Sequence, residues 1–252
     1  MPGIHIDFHV LLLIAAAGVY AGMQNVLAGG GSFITFPALL LAGLDPLAAN
    51  MTSTIALFPS QITSAVAGRS LLSDVGPIGF RRLFLVSCLG GACGAFLLLN
   101  TPATFFARLV PWLVLFATGV FAWGSFRRKP LHVAHVASPT LLIAIQAGIA
   151  VYGGYFGGGI GFLMLAALTV AGLPIRAATA NKNVLAMAMN ASAVLIFVFS
   201  KLINWPAVVA LGLGGICGGL SGSWLMHRVP EKLLRGFVVM VGTLLTVWLF
   251  IR

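Results

Sequence analysis

The sequence predicts an all-α polytopic membrane protein with two inverted repeats of about five helical segments, each repeat containing one short glycine-broken segment. Composition is the first observation: 60% of the 252 residues are hydrophobic and only 7% are charged, whereas a soluble chain carries roughly 25% charged residues. The others are an internal duplication and uncharged stretches longer than one membrane span. The lipid bilayer is therefore the expected surrounding of most of the surface.

The formal net charge is +10, which could suggest a nucleic-acid partner. The basic residues are, however, scattered between apolar runs and form no basic stripe interleaved with aromatic residues. Their distribution fits the loops of a membrane protein better. We expect no nucleic-acid binding.

The duplication is visible by eye. Residues 18–54 and 148–183 share a triple glycine, a Gly-Leu turn and a following polar triplet, and residues 89–96 match 213–220 through a Leu-Gly-Gly block. A basic linker separates the two copies. The predicted division is a first membrane repeat at 1–126, a basic cytoplasmic linker at 127–138 and a second membrane repeat at 139–252.

Each half begins with a long uncharged stretch, of 35 residues from Val10 to Leu44 and of 40 from Val136 to Ile175. Thirty-five helical residues would extend roughly 52 Å, too long for one crossing of a ~30 Å hydrocarbon core and short for two crossings with a turn. The triple glycines mark the expected breaks. They leave the short runs Ser32 to Leu44 and Ile160 to Leu173, and three further apolar segments in each half.

The positions of Lys and Arg test this count of segments, because cytoplasmic loops carry the excess of basic residues. If every segment crosses, the basic residues divide 11 against 3; if the short segments are re-entrant, they divide 8 against 6. The first division predicts ten crossings with both termini in the periplasm. An odd number of crossings per half inverts the repeats. Eight full spans plus two re-entrant pieces is the alternative.

Matched, glycine-broken segments in two repeats indicate a transporter site near the middle of the membrane. An unwound backbone exposes N–H groups, and a helix N-terminus adds partial positive charge, so both favour an anion. Close helix packing is the alternative role, although single glycines would suffice for it. The candidate glycines are Gly29, Gly30, Gly31, Gly157, Gly158 and Gly159.

A polar cluster follows the Gly-Leu turn in each half, and one further amide in each half lies deeper in the same helix. Polar groups at membrane depth are costly and usually face the bundle interior or a cavity. The two clusters are therefore expected to face each other beside the substrate, with interhelical hydrogen bonding as the alternative role. The polar candidates are Asn50, Thr52, Ser53, Gln61, Asn181, Lys182, Asn183 and Asn190.

Lys182 is the leading candidate to pair with an anion, because it is the only cation predicted within a segment. Snorkelling of its ammonium group to the cytoplasmic interface is the alternative. The four acidic residues all lie outside the centres of the spans, so the sequence offers no buried proton-relay carboxylate. An anion could then leave as a uniported ion, since an inside-negative potential favours its exit by about 2.3 kcal/mol per charge per 100 mV.

The sequence offers no carboxylate pair, activated nucleophile or metal-ligand cluster within the membrane, so we expect no enzymatic activity, no cofactor and no bound metal. His132 and His135 have a helical spacing that could bind a metal. Scattered loop histidines are the interpretation we favour. The three cysteines lie in apolar runs and are interpreted as small packing residues.

The triple glycines, the Gly-Leu turns, the Ala-x-x-Thr-Ser element from Ala49 to Ser53 and the later Leu-Gly-Gly blocks resemble the sulfite exporter TauE/SafE family, also called toluene sulfonate uptake permeases. The similarity covers essentially the whole chain, and the order of the motifs gives it specificity. It implies a multi-pass permease of the bacterial inner membrane that moves sulfite, sulfoacetate or related organosulfur anions, commonly outward. An anion channel, or a permease for another small organic anion, is the alternative. A homodimer is one of the oligomeric states left open.

Overall fold

The computed structural model describes residues 7–27, 31–126, 138–225 and 231–251. These residues form ten α-helices and one short 3-10 helix (Arg69–Leu71), which confirms the all-α prediction. The predicted linker lies almost wholly outside the described residues. The helices are α1 (Phe8–Leu27), α2 (Ser32–Leu41), α3 (Pro46–Ala67), α4 (Phe80–Leu99), α5 (Ala103–Phe126), α6 (Pro139–Tyr155), α7 (Ile160–Val170), α8 (Ile175–Phe197), α9 (Trp205–Leu225) and α10 (Glu231–Ile251).

The ten helices follow the order of the predicted segments, but α5, α8 and α10 begin before the apolar runs expected from about residues 109, 183 and 236. The difference is largest at α8, which begins at Ile175 and includes Arg176 and Lys182. A prediction from hydropathy ends a membrane span at basic residues. A helix that packs against other helices can nevertheless include them. In the first half, Asp45 occupies the N-cap of α3 and Pro46 its first position, although the carboxylate makes no capping hydrogen bond.

Helices α3 and α8 are the least apolar pair and lie at the centre of the bundle. Within the described residues, α1, α4 and α5 contain stretches long and apolar enough to cross a membrane, and five other helices contain shorter apolar stretches. Helices α3 and α8 fall in neither group, yet they pack directly against each other and against α9 and α4, respectively. Most of their polar residues are buried or half-buried, whereas Thr63 and Arg176 are exposed.

Contacts between the halves occur in matched pairs. Helix α1 packs along α9 and α6 packs along α4, while α3 contacts α8 and α5 contacts α10. When the two halves are exchanged, the α1–α9 pair becomes the α6–α4 pair. The α3–α8 and α5–α10 pairs each become themselves. Such an exchange is expected if the two halves are repeats related by a pseudo-two-fold axis.

The relative directions of these helices follow from individual contacts. A Cβ added at Gly68, near the end of α3, would lie 3.3 Å from Ala180, near the start of α8. The amides of Gln61, which precedes Gly68 in α3, and Asn190, which follows Ala180 in α8, form a second contact, so α3 and α8 run antiparallel. These directions agree with inverted repeats, whereas the number of membrane crossings and the side of the termini stay predictions.

Small residues allow α1 and α9 to pack at close range. A Cβ added at Gly18 or Gly22 would collide with the backbone of α9, and one added at Gly218 would collide with the Val19 carbonyl of α1. Lipid chains are as apolar as leucine, so close van der Waals contact of this kind associates membrane helices. A buried hydrogen bond of 2.8 Å from Gln146 Nε2 to Ser87 Oγ joins α6 to α4 in addition.

The close contact between α1 and α9 gives a matched test of packing. We expect Gly218→Ala to lower the melting temperature of the purified protein by about 3–10 °C, because overpacking costs about 1–3 kcal/mol. Gly219→Ala is the control, since a Cβ at Gly219 meets no atom within 4 Å. Equal melting temperatures for the two variants would contradict this packing.

Candidate functional site

A cavity of about 100 Å³ lies between α3 and α8 and is closed at one side by the first residues of α2 and α7. One ordered water needs roughly 10–15 Å³ on this measure, so the cavity has room for several waters or one small oxyanion. Its polar and glycine lining comprises Asn25, Ser32, Asn50, Ser53, Thr54, Ser60, Gln61, Ser64, Gly157, Gly158, Gly159, Gly161, Lys182, Asn183 and Asn190.

The second triple glycine is an unwound break, as the length of the uncharged stretch predicted. Helix α6 ends at Tyr155 and α7 begins at Ile160. Between them Gly157 and Gly159 have φ values of +80° and +75°, which L side chains rarely adopt. The backbone can therefore turn here and still line the cavity.

Only the end of the first triple glycine can be located, because Gly29 and Gly30 lie outside the described residues. Gly31 occupies the N-cap of α2, and its N–H donates a hydrogen bond of 2.8 Å to Asn25 Oδ1 on α1. Gly31 is buried beside the cavity and is not part of its lining. Asn25 lines the cavity in its place.

The first turns of α2 and α7 both border the cavity, through Ser32 and Phe33 on one side and Ile160 and Gly161 on the other. No described residue accepts a hydrogen bond from the N–H of Ile160 or Gly161, and no side chain caps α7. Free N–H groups and the helix dipole make such a terminus an anion-binding element. The cavity thus contains two helix ends of positive partial charge.

Lys182 enters the same cavity from the second turn of α8 and is only partly buried. A Cβ added at Gly161 would lie 3.9 Å from Lys182 Nζ, so the ammonium group is adjacent to the first turn of α7. A cation is unfavourable at the N-terminus of a helix. No Asp or Glu occurs among the lining residues. The site therefore has two adjacent positive groups with no acidic residue in its described lining.

Helix α3 presents a polar stripe to the cavity. Its lining residues recur at helical spacing over four turns, namely Asn50, Ser53, Thr54, Leu57, Ser60, Gln61 and Ser64. We had not predicted Ser60 and Ser64. The 3.6-residue period of the stripe is the signal that would have identified them.

Several of these polar side chains are already hydrogen-bonded within the protein. Asn50 Nδ2 donates a bond of 2.9 Å to the Tyr155 carbonyl at the end of α6, and the hydroxyls of Ser53 and Thr35 are 2.6 Å apart. Thr54, Ser60 and Ser64 donate to backbone carbonyls of their own helix. The donors left for a ligand include Lys182, Asn183 and the start of α7, together with the Ser32 hydroxyl and the amide nitrogens of Asn25 and Gln61, whose oxygens already accept bonds.

Gln61 and Asn190 join α3 to α8 through a bond of 2.8 Å from Asn190 Nδ2 to Gln61 Oε1. The two amides occupy equivalent repeat positions and both line the cavity. The sequence alternatives for such residues were ligand contact and interhelical hydrogen bonding. In the structure the two amides form an interhelical hydrogen bond, and both also belong to the cavity wall.

Thr52 and Asn181 occupy equivalent positions but lie outside the cavity lining. Thr52 Oγ1 accepts a bond of 3.3 Å from the Asn204 N–H, in the loop before α9. Asn181 accepts from the Ser73 N–H at 3.2 Å and donates to the Ser73 carbonyl at 2.7 Å, in the loop before α4. Each residue therefore ties its helix to a loop of the other repeat, which is a structural role.

Aromatic rings form the apolar wall of the cavity, and the sequence analysis did not identify them. Phe33 at the start of α2 and Phe162 at the start of α7 both contact Phe121 of α5, with ring centroids 5.3 and 4.4 Å apart. Phe36 contacts Phe156 in the break at 5.5 Å. Isolated phenylalanines in apolar segments have no distinguishing sequence signal.

A second cavity, of about 650 Å³, is an apolar groove between α4, α5 and α6. Its lining contains no charged residue, and it suits lipid chains better than an anion. The described residues contain no cluster of three potential metal ligands, and the two candidate histidines of the linker lie outside them.

Comparison with known proteins agrees with this architecture. The sequence profile described as "Sulfite exporter TauE/SafE" matches residues 14–249. A probable membrane transporter protein, ORF9, of Sinorhizobium sp is 29% identical over 95% of this chain and 92% of its own length. A probable membrane transporter protein of Haemophilus influenzae is 25% identical over 96% of this chain and 94% of its own length. The probable membrane transporter protein YfcA of Escherichia coli K12 is 26% identical over 94% of this chain and 87% of its own length. No solved structure matches. With a family match across nearly the whole chain, this protein belongs to the sulfite exporter TauE/SafE family of membrane transporters.

Proposed function

We propose that this protein moves small sulfur oxyanions and short sulfonates, such as sulfite and sulfoacetate, across the bacterial inner membrane. The observation that carries the proposal is the position of Lys182 beside the N-terminus of α7, in a cavity whose lining contains no acidic residue. Two adjacent positive groups repel each other until an anion lies between them. An oxyanion supplies that charge and several acceptors for the available donors.

The aromatic wall supports short organic sulfonates alongside inorganic oxyanions. Phe33, Phe36, Phe156 and Phe162 all line the cavity that contains Lys182. Binding sites for small molecules commonly combine an apolar wall with a few placed polar groups. A sulfonate with a short carbon chain can place its oxygens at Lys182 and its carbon atoms against these rings.

The architecture supports a carrier mechanism more than an open channel. Helices α3 and α8 cross antiparallel and are joined across the cavity by Gln61 and Asn190, and Phe121 bridges the starts of α2 and α7. Inverted repeats typically rock against each other around a central site. In our proposal the ten segments cross the membrane with both termini in the periplasm, and the protein has no enzymatic activity.

Transport by the purified protein in proteoliposomes tests the proposal. We expect saturable uptake of sulfite, sulfoacetate and methanesulfonate, and weaker uptake of taurine, whose ammonium group would approach Lys182. Acetate and lactate serve as carboxylate comparators. No uptake of any sulfur anion would refute the proposal, and discrete unitary currents in planar bilayers would favour an anion channel.

Replacement of the cavity lysine separates its role from that of the overall charge. We expect Lys182→Gln to reduce sulfoacetate uptake at low concentration by about tenfold or more, because hydrogen bonds to charged groups contribute about 1.5–3 kcal/mol. Lys201→Gln is the matched control, because Lys201 is exposed in the turn between α8 and α9. If the half-saturation concentration for sulfoacetate is unchanged in Lys182→Gln, Lys182 does not bind the substrate and is an anchor at the membrane interface.

Neighbouring asparagines on α8 distinguish binding from folding. Asn183→Ala should raise the half-saturation concentration with little effect on melting temperature, because Asn183 lines the cavity. Asn181→Ala should lower the melting temperature by several degrees, since it leaves the Ser73 N–H and carbonyl without their partner at a cost of about 1–3 kcal/mol. The reverse pattern, in flux and thermal-melting measurements on the same preparations, would contradict both assignments.

A further inference from the structure

We propose that Lys182 carries a proton together with each anion, so that the proton is the coupling ion of this transporter. The inference rests on the proposed function, since it concerns the same cavity. It replaces the uniport mechanism that the absence of a buried carboxylate suggested. The anion binds to the ammonium form of Lys182, and the site resets with the amine form.

Lys182 is the only ionisable side chain among the lining residues. The other polar lining residues are amides, hydroxyls and glycines, which carry no ionisable group. A proton that enters with the anion therefore has one place to reside within the described cavity.

The elements packed against α8 supply no alternative carrier at the cavity. Helices α3 and α7 carry no ionisable side chain, and α8 itself adds only Arg176. The remaining neighbours are the 3-10 helix, α4 and α6. Their ionisable residues all lie outside the cavity lining and are Arg69, Arg81, Arg82, Cys88, Cys93, Tyr152 and Tyr155.

The tyrosines of α6 are directed elsewhere. Tyr152 and Tyr155 line the apolar groove between α4, α5 and α6, and the Tyr155 hydroxyl donates to Thr101 Oγ1 at 3.4 Å. The three acidic side chains of the described residues, Asp7, Asp45 and Asp74, precede helices and do not line the cavity. None can neutralise Lys182 when the anion leaves.

The empty cavity is therefore the costly state for a protonated lysine. With an anion bound, the ammonium group and the N–H groups of α7 share a counter-charge. After release, the ammonium group would remain beside the positive end of α7 with no partner. An isolated charge within a membrane protein is expensive, and loss of the proton to water removes it.

The cycle balances in atoms and charge. On the loading side, water or buffer gives one proton to the Lys182 amine, and the anion binds to the resulting ammonium group. On the other side the anion leaves, the N–H bond breaks, and the proton passes to water. A monoanion thus crosses with no net charge, so a pH gradient drives it and the membrane potential does not.

Simultaneous recording of anion uptake and internal pH in proteoliposomes tests the inference. The probe is radiolabelled methanesulfonate, or sulfoacetate if it is taken up faster; both remain ionised at pH 7.5 and cannot carry the proton themselves. A pH dye inside the vesicles should report one proton for each anion taken up by the wild-type protein. With methanesulfonate, a potential set by valinomycin and potassium should leave the rate unchanged.

Lys182→Arg isolates proton release, because arginine keeps its charge in proteins. We expect this variant to exchange labelled for unlabelled anion, which requires only the loaded site. Its net uptake should fall by about tenfold or more, with the proton signal lost, because the empty site can no longer discharge. Lys201→Arg should behave like the wild-type protein in both measurements.

Wild-type uptake of methanesulfonate that depends on the membrane potential and leaves internal pH unchanged would overturn the coupling while preserving the proposed function. Lys182→Arg with wild-type net uptake and one proton per anion would overturn it as well. Absence of uptake of every sulfur anion by the wild-type protein would instead reject the proposed function on which the inference rests.

Discussion

The unfavourable proximity of Lys182 to the N-terminus of α7 is the constraint on which the rest of this structure depends. A lysine beside a helix N-terminus is normally avoided, because the helix dipole and the ammonium group repel each other. Here the ammonium group lies beside Gly161 in the first turn of α7, and the lining supplies no carboxylate. In our proposals the repulsion is relieved in two ways, by a bound anion or by loss of the Lys182 proton.

That arrangement needs a rigid surround, which the outer helices provide through small residues. Helices α1 and α9 approach until an added methyl group would collide with the opposite backbone, and Gln146 joins α6 to Ser87 of α4. Close contact replaces the hydrophobic effect, which cannot associate helices within lipid. The polar helices α3 and α8 are thereby kept at the centre, where Asn50, Thr52 and Asn181 satisfy backbone groups of neighbouring loops and helix ends.

The sequence was most informative where chemistry and length were both unusual. Two triple glycines in overlong apolar stretches predicted the break that Gly157 and Gly159 form. The charge of Lys182 distinguished it from the asparagines on either side, and it lines the cavity. Adjacent polar residues were harder to assign. Asn181 and Lys182 are consecutive, yet a helix turns about 100° per residue, so one reaches the Ser73 backbone and the other the cavity. Which face points inward depends on tertiary packing, as do the aromatic contacts of Phe33 and Phe162.

The two repeats share a framework but not a charge. Ser53 and Lys182 occupy equivalent positions, and both line the cavity. Ser53 is satisfied by the Thr35 hydroxyl at 2.6 Å and needs no ligand. A second lysine in its place would put two unpaired cations in a cavity of about 100 Å³, and like charges at such separations repel by several kcal/mol at an effective dielectric constant near 20. Restricting the cation to one repeat lets a single small anion neutralise the site. The asymmetry of the two repeats therefore fits our proposal that the cavity binds one small anion at a time.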